Sequence, residues 1–553
     1  MNHFFVNIGK SIEEKIPKVD TSFSSYLVHP NNCVISLNQC NLTEIKTLIS
    51  KIEVSKASGP FSIPSKLLKL FKDIFTVPIT AIVNKSLVEG VFPDLLKSAI
   101  VHPIFKKNDK KQCANYRPIS LLSNLGKLFE RVMYDRIELF LNDFDLIYKN
   151  QFGFRKKHST SHALISIVEQ IRNNLDKKIF SCAVFVDLEK AFDTVNHIIL
   201  LQKLDHYGIS GSANAWIRSY LSERSQKVTV NGTTSSERSI TCGVPQGSIL
   251  GPLLFLIYLN DLNEALQNCL VFHFADDTNL LFSHKNSDHL HKIINQELKI
   301  LFEWLCANRL SLNASKTEFI IFRPPKKTLV DRVTLKLNGI KIYESPKIKY
   351  LGILLDNRLT WKHHIHELSK KLSRSLGMIY KIRHFCTPVV LRSLYFSLFN
   401  SHLSYGLAVW GNCNGIYSEK LKILQKKFVR AITFADFNAH SKPIFKNLGI
   451  LKFDDLYKSQ LASLMWEYDH NTLPDSLSEL FIKRSAMHGF QLRNAADGRL
   501  YTGTRFNNNY GKNSFAHVGS IFLNELKDSD IYTLATSKNA FMNKYKQSIL
   551  EKY

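Results

Sequence analysis

Apolar residues recur along this chain with two different periods, and the change of period divides it. From about residue 46 to 180 they fall mainly at helical steps, broken by Gly59-Pro60, Pro64, Pro93 and Pro103. From 181 to about 357, short strand-like runs alternate with helix-like stretches, the pattern of an α/β or α+β layer. After about 360 the helical step returns. Ile365, Leu368, Leu372, Leu376 and Ile379 predict a helix over 364–383. Leu421, Leu424, Phe428 and Ile432 predict another, with Ser418 as its N-cap. Residues 1–45 read as a connecting segment around the turn-rich His29-Pro30-Asn31-Asn32. No repeat of solenoid period and no low-complexity tract is present.

Two of the short apolar runs end in acid. Ile179 to Val186 is rich in β-branched and aromatic residues and stops at Asp187, which predicts a buried strand with a carboxylate at its exit. A helix start is expected just after it, with Ala191 and Phe192 on the first turn. Leu270 to Phe282 predicts a hairpin with Asp276 and Asp277 at its tip. Adjacent carboxylates repel, and partial burial of both is unfavourable unless a cation compensates. Phosphoryl transfer to a 3′-OH uses such an arrangement, with divalent ions at the attacking and leaving oxygens. The alternative is that both aspartates are simply turn formers.

Charge sharpens the choice of partner. Lysine and arginine number 73 against 47 acids, a formal net charge of +26. An excess of that size bears on partners more than on fold, with nucleic acid the first candidate and an acidic membrane surface the second. Lys370, Lys371, Arg374, Lys381 and Arg383 lie largely off the stripe of the first late helix. Lys420, Lys422, Lys426, Lys427 and Arg430 lie on the outer face of the second. These are either solvated faces or backbone-binding surfaces. The nine cysteines are scattered without a C-x-x-C pair, which argues against a zinc knuckle. His363, His364 and His366 lack the carboxylate or cysteine pattern that would complete a metal site and read as surface residues. The longest apolar run, Ile249 to Leu259, contains Gly251 and Pro252 and is too short to span a bilayer. With no secretory pattern at the start, the expectation is an intracellular protein, nuclear or cytoplasmic, with no membrane partner.

Phe185-Val186-Asp187-Leu188-Glu189-Lys190-Ala191-Phe192-Asp193-Thr194-Val195 resembles the first catalytic motif of reverse transcriptases of non-LTR (LINE-type) retrotransposons. Gly243-Val244-Pro245-Gln246-Gly247-Ser248-Ile249-Leu250-Gly251-Pro252 resembles the second, and Phe274-Ala275-Asp276-Asp277-Thr278 the third. Their order and spacing are similar to the family's. Tyr116-Arg117-Pro118-Ile119-Ser120, Gln151-Phe152-Gly153-Phe154-Arg155, Leu312-Asn313-Ala314-Ser315-Lys316-Thr317 and Lys349-Tyr350-Leu351-Gly352 also resemble family text. The similarity runs over nearly the whole chain and is nearest to the Jockey-like group and its relatives.

The resemblance implies an α+β right-hand polymerase with a largely helical C-terminal region. It implies fingers over 46–180, a palm with the aspartates and a primer-grip hairpin over 181–357, and a thumb-like region over 358–435; the role of 436–553 stays open. It implies an RNA-directed DNA polymerase, a nucleotidyltransferase acting on an RNA template, a DNA primer or nicked target DNA, and dNTPs. Two Mg2+ ions, or Mn2+ in their place, are the implied cofactors. Asp187 and Asp276 are implied as metal ligands, with Asp277 the neighbouring acid. Phe192 is implied under the sugar of the incoming nucleotide, where a ring blocks a 2′-OH. Arg117 is implied at the triphosphate, which its forked guanidinium suits. Lys106 and Lys107 are candidate helpers there, and equally read as solvated lysines. Gln246 and Gly247 are implied beside nucleotide and template. Arg155 is implied at the template backbone, Lys316 as general acid for pyrophosphate, and Leu351 and Gly352 at the primer end. For Phe192, Lys316 and the Leu351 hairpin, a core ring, a surface lysine and a core hairpin are the plainer alternatives.

Two departures matter. Where the family has Gly-Pro-Asp-Gly-Ile-Pro, this chain has Gly59-Pro60-Phe61-Ser62-Ile63-Pro64. No endonuclease text precedes the polymerase motifs, so a separate endonuclease is the expected source of a nick. These departures keep open an inactive, truncated nucleic-acid-binding copy of such an element.

Overall fold

The computed structural model describes residues 1–55, 57–61, 63–324, 334–486, 498–503 and 505–553. Its strands, in chain order, begin with β1 (Ser98–Phe105), β2 (Tyr116–Leu121), β3 (Phe180–Val186), β4 (Arg224–Val230), β5 (Thr233–Thr234) and β6 (Arg238–Ile240). They continue with β7 (Leu270–Phe274), β8 (Asp277–His284), β9 (Glu318–Phe322), β10 (Leu335–Leu337), β11 (Ile340–Glu344), β12 (Lys347–Tyr350) and β13 (Ile353–Asp356). One sheet runs β10-β11-β9-β3-β8-β7, a second runs β2-β1-β4-β5 with β6 also on β4, and β12 pairs with β13 alone.

The apolar run ending at Asp187 is β3, antiparallel to β8 on one side and β9 on the other. A strand with neighbours on both edges and helices on both faces must be apolar on alternate residues in both directions. Cys182, Val184 and Val186 accordingly join a core with Ile294, Leu298, Leu301 and Trp304 of the helix Ser287–Ala307. Ala183 points the other way, into a core with Leu164, Val168 and Ile171 of the helix Thr160–Asp176. No helix follows β3 directly. Lys190 has a positive φ of 50°, the chain turns through 191–193, and a helix begins only at His197.

Other segments also differ from expectation. Residues 98–105 and 116–121, read as part of a mainly helical stretch, are β1 and β2; Pro103 stands opposite Pro118 beyond the part of β1 that pairs with β4. Two residues without an N–H are tolerated there because neither is asked to bridge strands on both sides. Asn2–Glu13, read as connecting text, is a helix. The Asn2 amide donates to the Gln226 and Ser236 carbonyls at 3.2 and 2.8 Å, and Phe5 packs with Val101 and Val228. The helix Gly415–Thr433 is capped by Asn414, whose side chain accepts from the Ile416 N–H, and Ser418 is buried inside it. Of its basic face, Lys422 pairs with Asp454 at 2.8 Å and Arg430 donates to the Ala439 carbonyl at 2.9 Å. His363 and His366 are exposed as expected. His364 is buried edge-on against Trp410 at 5.2 Å, and burial pushes its imidazole down to about 4.

Two buried polar features tie the molecule together. Lys203 is completely buried; its ammonium donates to the Tyr258 carbonyl at 2.6 Å and to Asp261 at 2.5 Å. The other Asp261 oxygen accepts from the Trp304 indole at 3.1 Å, and the ammonium lies about 5 Å from the Tyr258 and Trp304 rings. The helix Thr160–Asp176 carries three buried ionisable groups that reach residues 507–516. Glu169 accepts from the Phe515 and Ala516 N–H groups at 2.7 and 3.1 Å, at the start of the helix Phe515–Lys527. Arg172 donates to the Asn513 carbonyl at 2.6 Å, and Asp176 accepts from the Asn507 and Asn508 N–H groups at 3.0 and 2.9 Å. Among the described residues, no helix is long and apolar enough to cross a membrane.

Candidate active site

Strand register gathers the three aspartates. Val186 pairs with Thr278 and Phe274 with Asp277, so Asp187 leaves β3 at the end of the sheet where β7 turns into β8. Ala275 and Asp276 make that turn, with Ala275 at a φ of 59°. The strained backbone is held from behind. The Gln151 side-chain oxygen accepts from the Ala275 and Gly153 N–H groups at 3.2 and 2.9 Å, and Phe152 donates to the His273 carbonyl at 2.9 Å. Gly153 presses so closely on Ala275 that a Cβ would collide with its backbone. The first part of the Gln151–Arg155 motif therefore braces the turn, a role the sequence reading missed although the residue was in view.

Asp276 and Asp277 reach solvent yet sit among enough protein to lose hydration. Burial first, and the neighbouring Asp187 next, raise Asp276; burial, Asp276 and Asp187 push Asp277 up to about 6. Lys316 donates to the Asp187 carboxylate at 2.8 Å, with both side chains about half exposed. The backbone holds this pair in register, since Asn313 donates to the Asp187 carbonyl and Glu189 to the Ser311 carbonyl, each at 2.8 Å.

Cations close the other side. The Lys106 N–H donates to the Asn115 carbonyl at 2.9 Å at the loop end of the β1–β2 hairpin, and Arg117 stands opposite Ile104 within it. Burial lowers the Lys106 ammonium, and Arg117 and Lys316 add to the effect while Asp187 opposes it. Lys106, Arg117 and Lys316 thus lie within electrostatic reach of one another and of the acids.

The remaining candidates line the flanks. Phe192 is half-buried, stacked on Phe255 at 4.5 Å and edge-on to Phe154 at 6.2 Å. Gln246 is fixed to β2 by the Ser120 N–H donating to its carbonyl at 2.7 Å, and its amide donates to Asp193 at 2.9 Å. Gly247 has a φ of 123°, and a Cβ there would stand 2.5 Å from the Ser120 carbonyl oxygen. Leu351 and Gly352 form the turn between β12 and β13. Tyr405 donates to the Leu351 carbonyl at 2.6 Å, while Tyr350 packs on Phe185 at 5.5 Å, and its burial first, with Asp277 next, raises its phenol. Arg155 stands apart in kind: its guanidinium donates to the Tyr148 and Gln151 carbonyls at 3.2 and 3.4 Å, so part of it is engaged in holding its own loop. Phe61 is exposed, and Ser62 of the departing fingers motif lies outside the described residues.

Comparison with known proteins agrees with this architecture. The reverse transcriptase (RNA-dependent DNA polymerase) family profile matches residues 105–355, from the end of β1 into β13. Residues 105–355 are a reverse transcriptase domain. The similarity extends well beyond that domain. The chain is 30% identical over 465 residues to the RNA-directed DNA polymerase from mobile element jockey of Drosophila melanogaster, covering 82% of this chain and 50% of that protein. It is 27% identical over 466 residues to the probable RNA-directed DNA polymerase from transposon BS of the same species, covering 81% and 50%. Against the probable RNA-directed DNA polymerase from transposon X-element it is 27% identical over 424 residues, covering 75% and 46%. The chain spans about half the length of these curated relatives.

The donor chemistry fits hard divalent cations. Three carboxylates crowd one end of the sheet, and two are raised by burial and mutual repulsion, which a cation relieves. Among the described residues, no three carboxylate, imidazole or thiol groups form a complete ligand set by themselves. Magnesium does not need one, because it keeps waters and substrate phosphates in its shell.

Proposed function

We propose that this chain is an RNA-directed DNA polymerase of a non-LTR retrotransposon, with a right-hand arrangement of fingers, palm and thumb. It extends a DNA 3′-OH, on a primer or nicked target, along an RNA template with dNTPs, and acts inside the cell in nucleus or cytoplasm. The observation that carries the reading is the convergence of Asp187 with Asp276 and Asp277, ringed by Lys106, Arg117 and Lys316.

Asp187 and Asp276, with Asp277 beside them, would hold two Mg2+ ions. When bound, these ions supply Lewis-acid activation of the 3′-OH and charge stabilisation at the leaving oxygen. Arg117 and Lys106 take the triphosphate. Lys316 moves from the Asp187 carboxylate to the departing pyrophosphate and protonates it. Phe192, held on Phe255 and Phe154, offers its ring to the sugar and excludes a 2′-OH. Gln246 and Gly247 flank the base pair being formed, the Leu351–Gly352 turn holds the primer end, and Arg155 with its neighbours lies along the template.

The contact between Lys316 and Asp187 also favours a second reading, an inactive nucleic-acid-binding copy in which that pair stays closed. Primer extension separates the two. With an RNA template, annealed DNA primer, dNTPs and Mg2+, the parent chain is expected to extend and Asp276→Ala is expected not to. No extension by either, with RNA still bound in a salt-dependent way, would leave the inactive copy standing.

A further inference from the structure

Asp193 belongs to the turn after β3 and has no role in the proposed chemistry, yet the loop carrying Gln246 is built around it. Its carboxylate accepts from the Gln246 amide at 2.9 Å. On one side of it, Val244 donates to the Phe192 carbonyl, and on the other Gly243 donates to the Val195 carbonyl, both at 2.8 Å. His197 and the Gly243 carbonyl are in contact at 2.8 Å. Gly243 has a φ of 83°, and a Cβ on it would stand 2.9 Å from the Asp193 Cα. From outside, the helix Asn2–Glu13 presses Gly9 on the same spot, where a Cβ would collide with the Asp193 carbonyl oxygen.

The second carboxylate oxygen is buried and makes no hydrogen bond within the described residues. Burying an acid on one hydrogen bond is unfavourable, and an apolar side chain would fill the space at less cost. Packing therefore does not account for an acid at this place, whereas the bond to Gln246 does. A free glutamine side chain has several rotatable bonds, and a fixed acceptor removes most of that freedom before the nucleotide arrives.

We propose that Asp193 is a positioning residue for nucleotide selection: it holds the Gln246 carboxamide in the orientation that meets the incoming nucleotide, with the helix Asn2–Glu13 as the wall behind it. The proposal rests on the reading of Gln246 as a nucleotide contact. Burial pushes the Asp193 carboxyl up to about 6, in keeping with a group enclosed by that wall.

The test compares the parent with Asp193→Ala, Asp193→Asn, Gln246→Ala and the double variant Asp193→Ala/Gln246→Ala, in the full chain. In primer extension, Asp193→Ala is expected to raise the KM for dNTP about tenfold, the worth of one buried hydrogen bond. Its kcat and template–primer affinity should change much less. Asp193→Asn keeps an acceptor oxygen and is expected to recover most of the loss. The double variant is expected to match Gln246→Ala, because Asp193 has nothing left to hold. A parental KM in Asp193→Ala, or losses that simply multiply in the double variant, overturns the proposal. If Asp193→Ala does not fold, Asp193→Leu fills the space without an acceptor and is expected to raise KM in the same way; a parental KM there overturns it too. If the parent itself extends no primer, the polymerase reading fails. The pair is then judged by melting: the proposal requires non-additive Tm shifts for the two single variants, and additive shifts overturn it.

Discussion

The same two groups, a lysine ammonium and an aspartate carboxylate, meet in two places with opposite consequences. Lys203 and Asp261 meet in the core, where the ammonium also donates to the Tyr258 carbonyl and the second carboxylate oxygen accepts from the Trp304 indole. Lys316 and Asp187 meet at 2.8 Å on a half-exposed edge. In the core, separating the pair would strand charges in a medium of low polarity, so the contact is permanent and gives shape. At the edge, water replaces either partner cheaply, so the contact holds little of the fold and can be exchanged for a cation or a phosphate. Position in the structure, more than residue type, separates a strut from a reactive site.

Four measurements can break or sharpen that contrast. The largest effect is expected for Asp276→Ala, which should lower the primer-extension rate by about three orders of magnitude or more without lowering the Tm. A stability loss matching the activity loss would make the acids structural after all. Next comes Lys203→Met, which leaves Asp261 buried without its cation. It should destabilise the fold by about 3–5 kcal/mol in chemical denaturation, while the folded fraction keeps parental activity. Lys316→Ala is expected to cost about a hundredfold in rate and no more than about 1 kcal/mol in stability. If its stability loss rivalled that of Lys203→Met, the two pairs would be alike.

The smallest effect concerns pH. The folded-state pKa of Asp277, about 6, lies above its ordinary value, so the folded form binds a proton that the unfolded form has released. Ionised Asp277 therefore weakens the fold, by an amount that is absent below about pH 4 and complete above about pH 6. Without metal, Asp277→Asn should raise the Tm slightly at pH 7 and leave it unchanged near pH 4. Mg2+ should raise the parent's Tm at pH 7 and lose that effect as the pH falls through 6.

What could be read from the sequence follows the same division. β3 and the hairpin of β7 and β8 were legible because short apolar runs bounded by acids have few other solutions, and their register then fixed the aspartates. The turn at Leu351–Gly352 was legible through its motif. β1 and β2 were hidden because each carries a proline and their outer ends are exposed, which blurs the alternation of a strand. The absence of a helix at Phe192 was hidden because the positive φ of Lys190 leaves no mark on residue type. His364 read as polar surface, although it lies one residue before Ile365 on the buried stripe. Gln151 and Asp193 were in plain sight within motifs, but hydrogen bonds between distant segments are invisible to periodicity.

The three buried groups on the helix Thr160–Asp176 carry a message about inheritance. Glu169, Arg172 and Asp176 find their partners between residues 507 and 516, more than three hundred codons downstream. A stop codon before residue 507 would spare Asp187, Asp276 and Asp277, yet it would strip Glu169 and Asp176 of these partners and leave Arg172 with the Val409 carbonyl and the Asn412 side chain. A late nonsense change would therefore be felt in the core around this helix, and not at the C-terminal segment alone. Selection for a folded product should therefore reach at least to residue 516, far past the aspartates themselves.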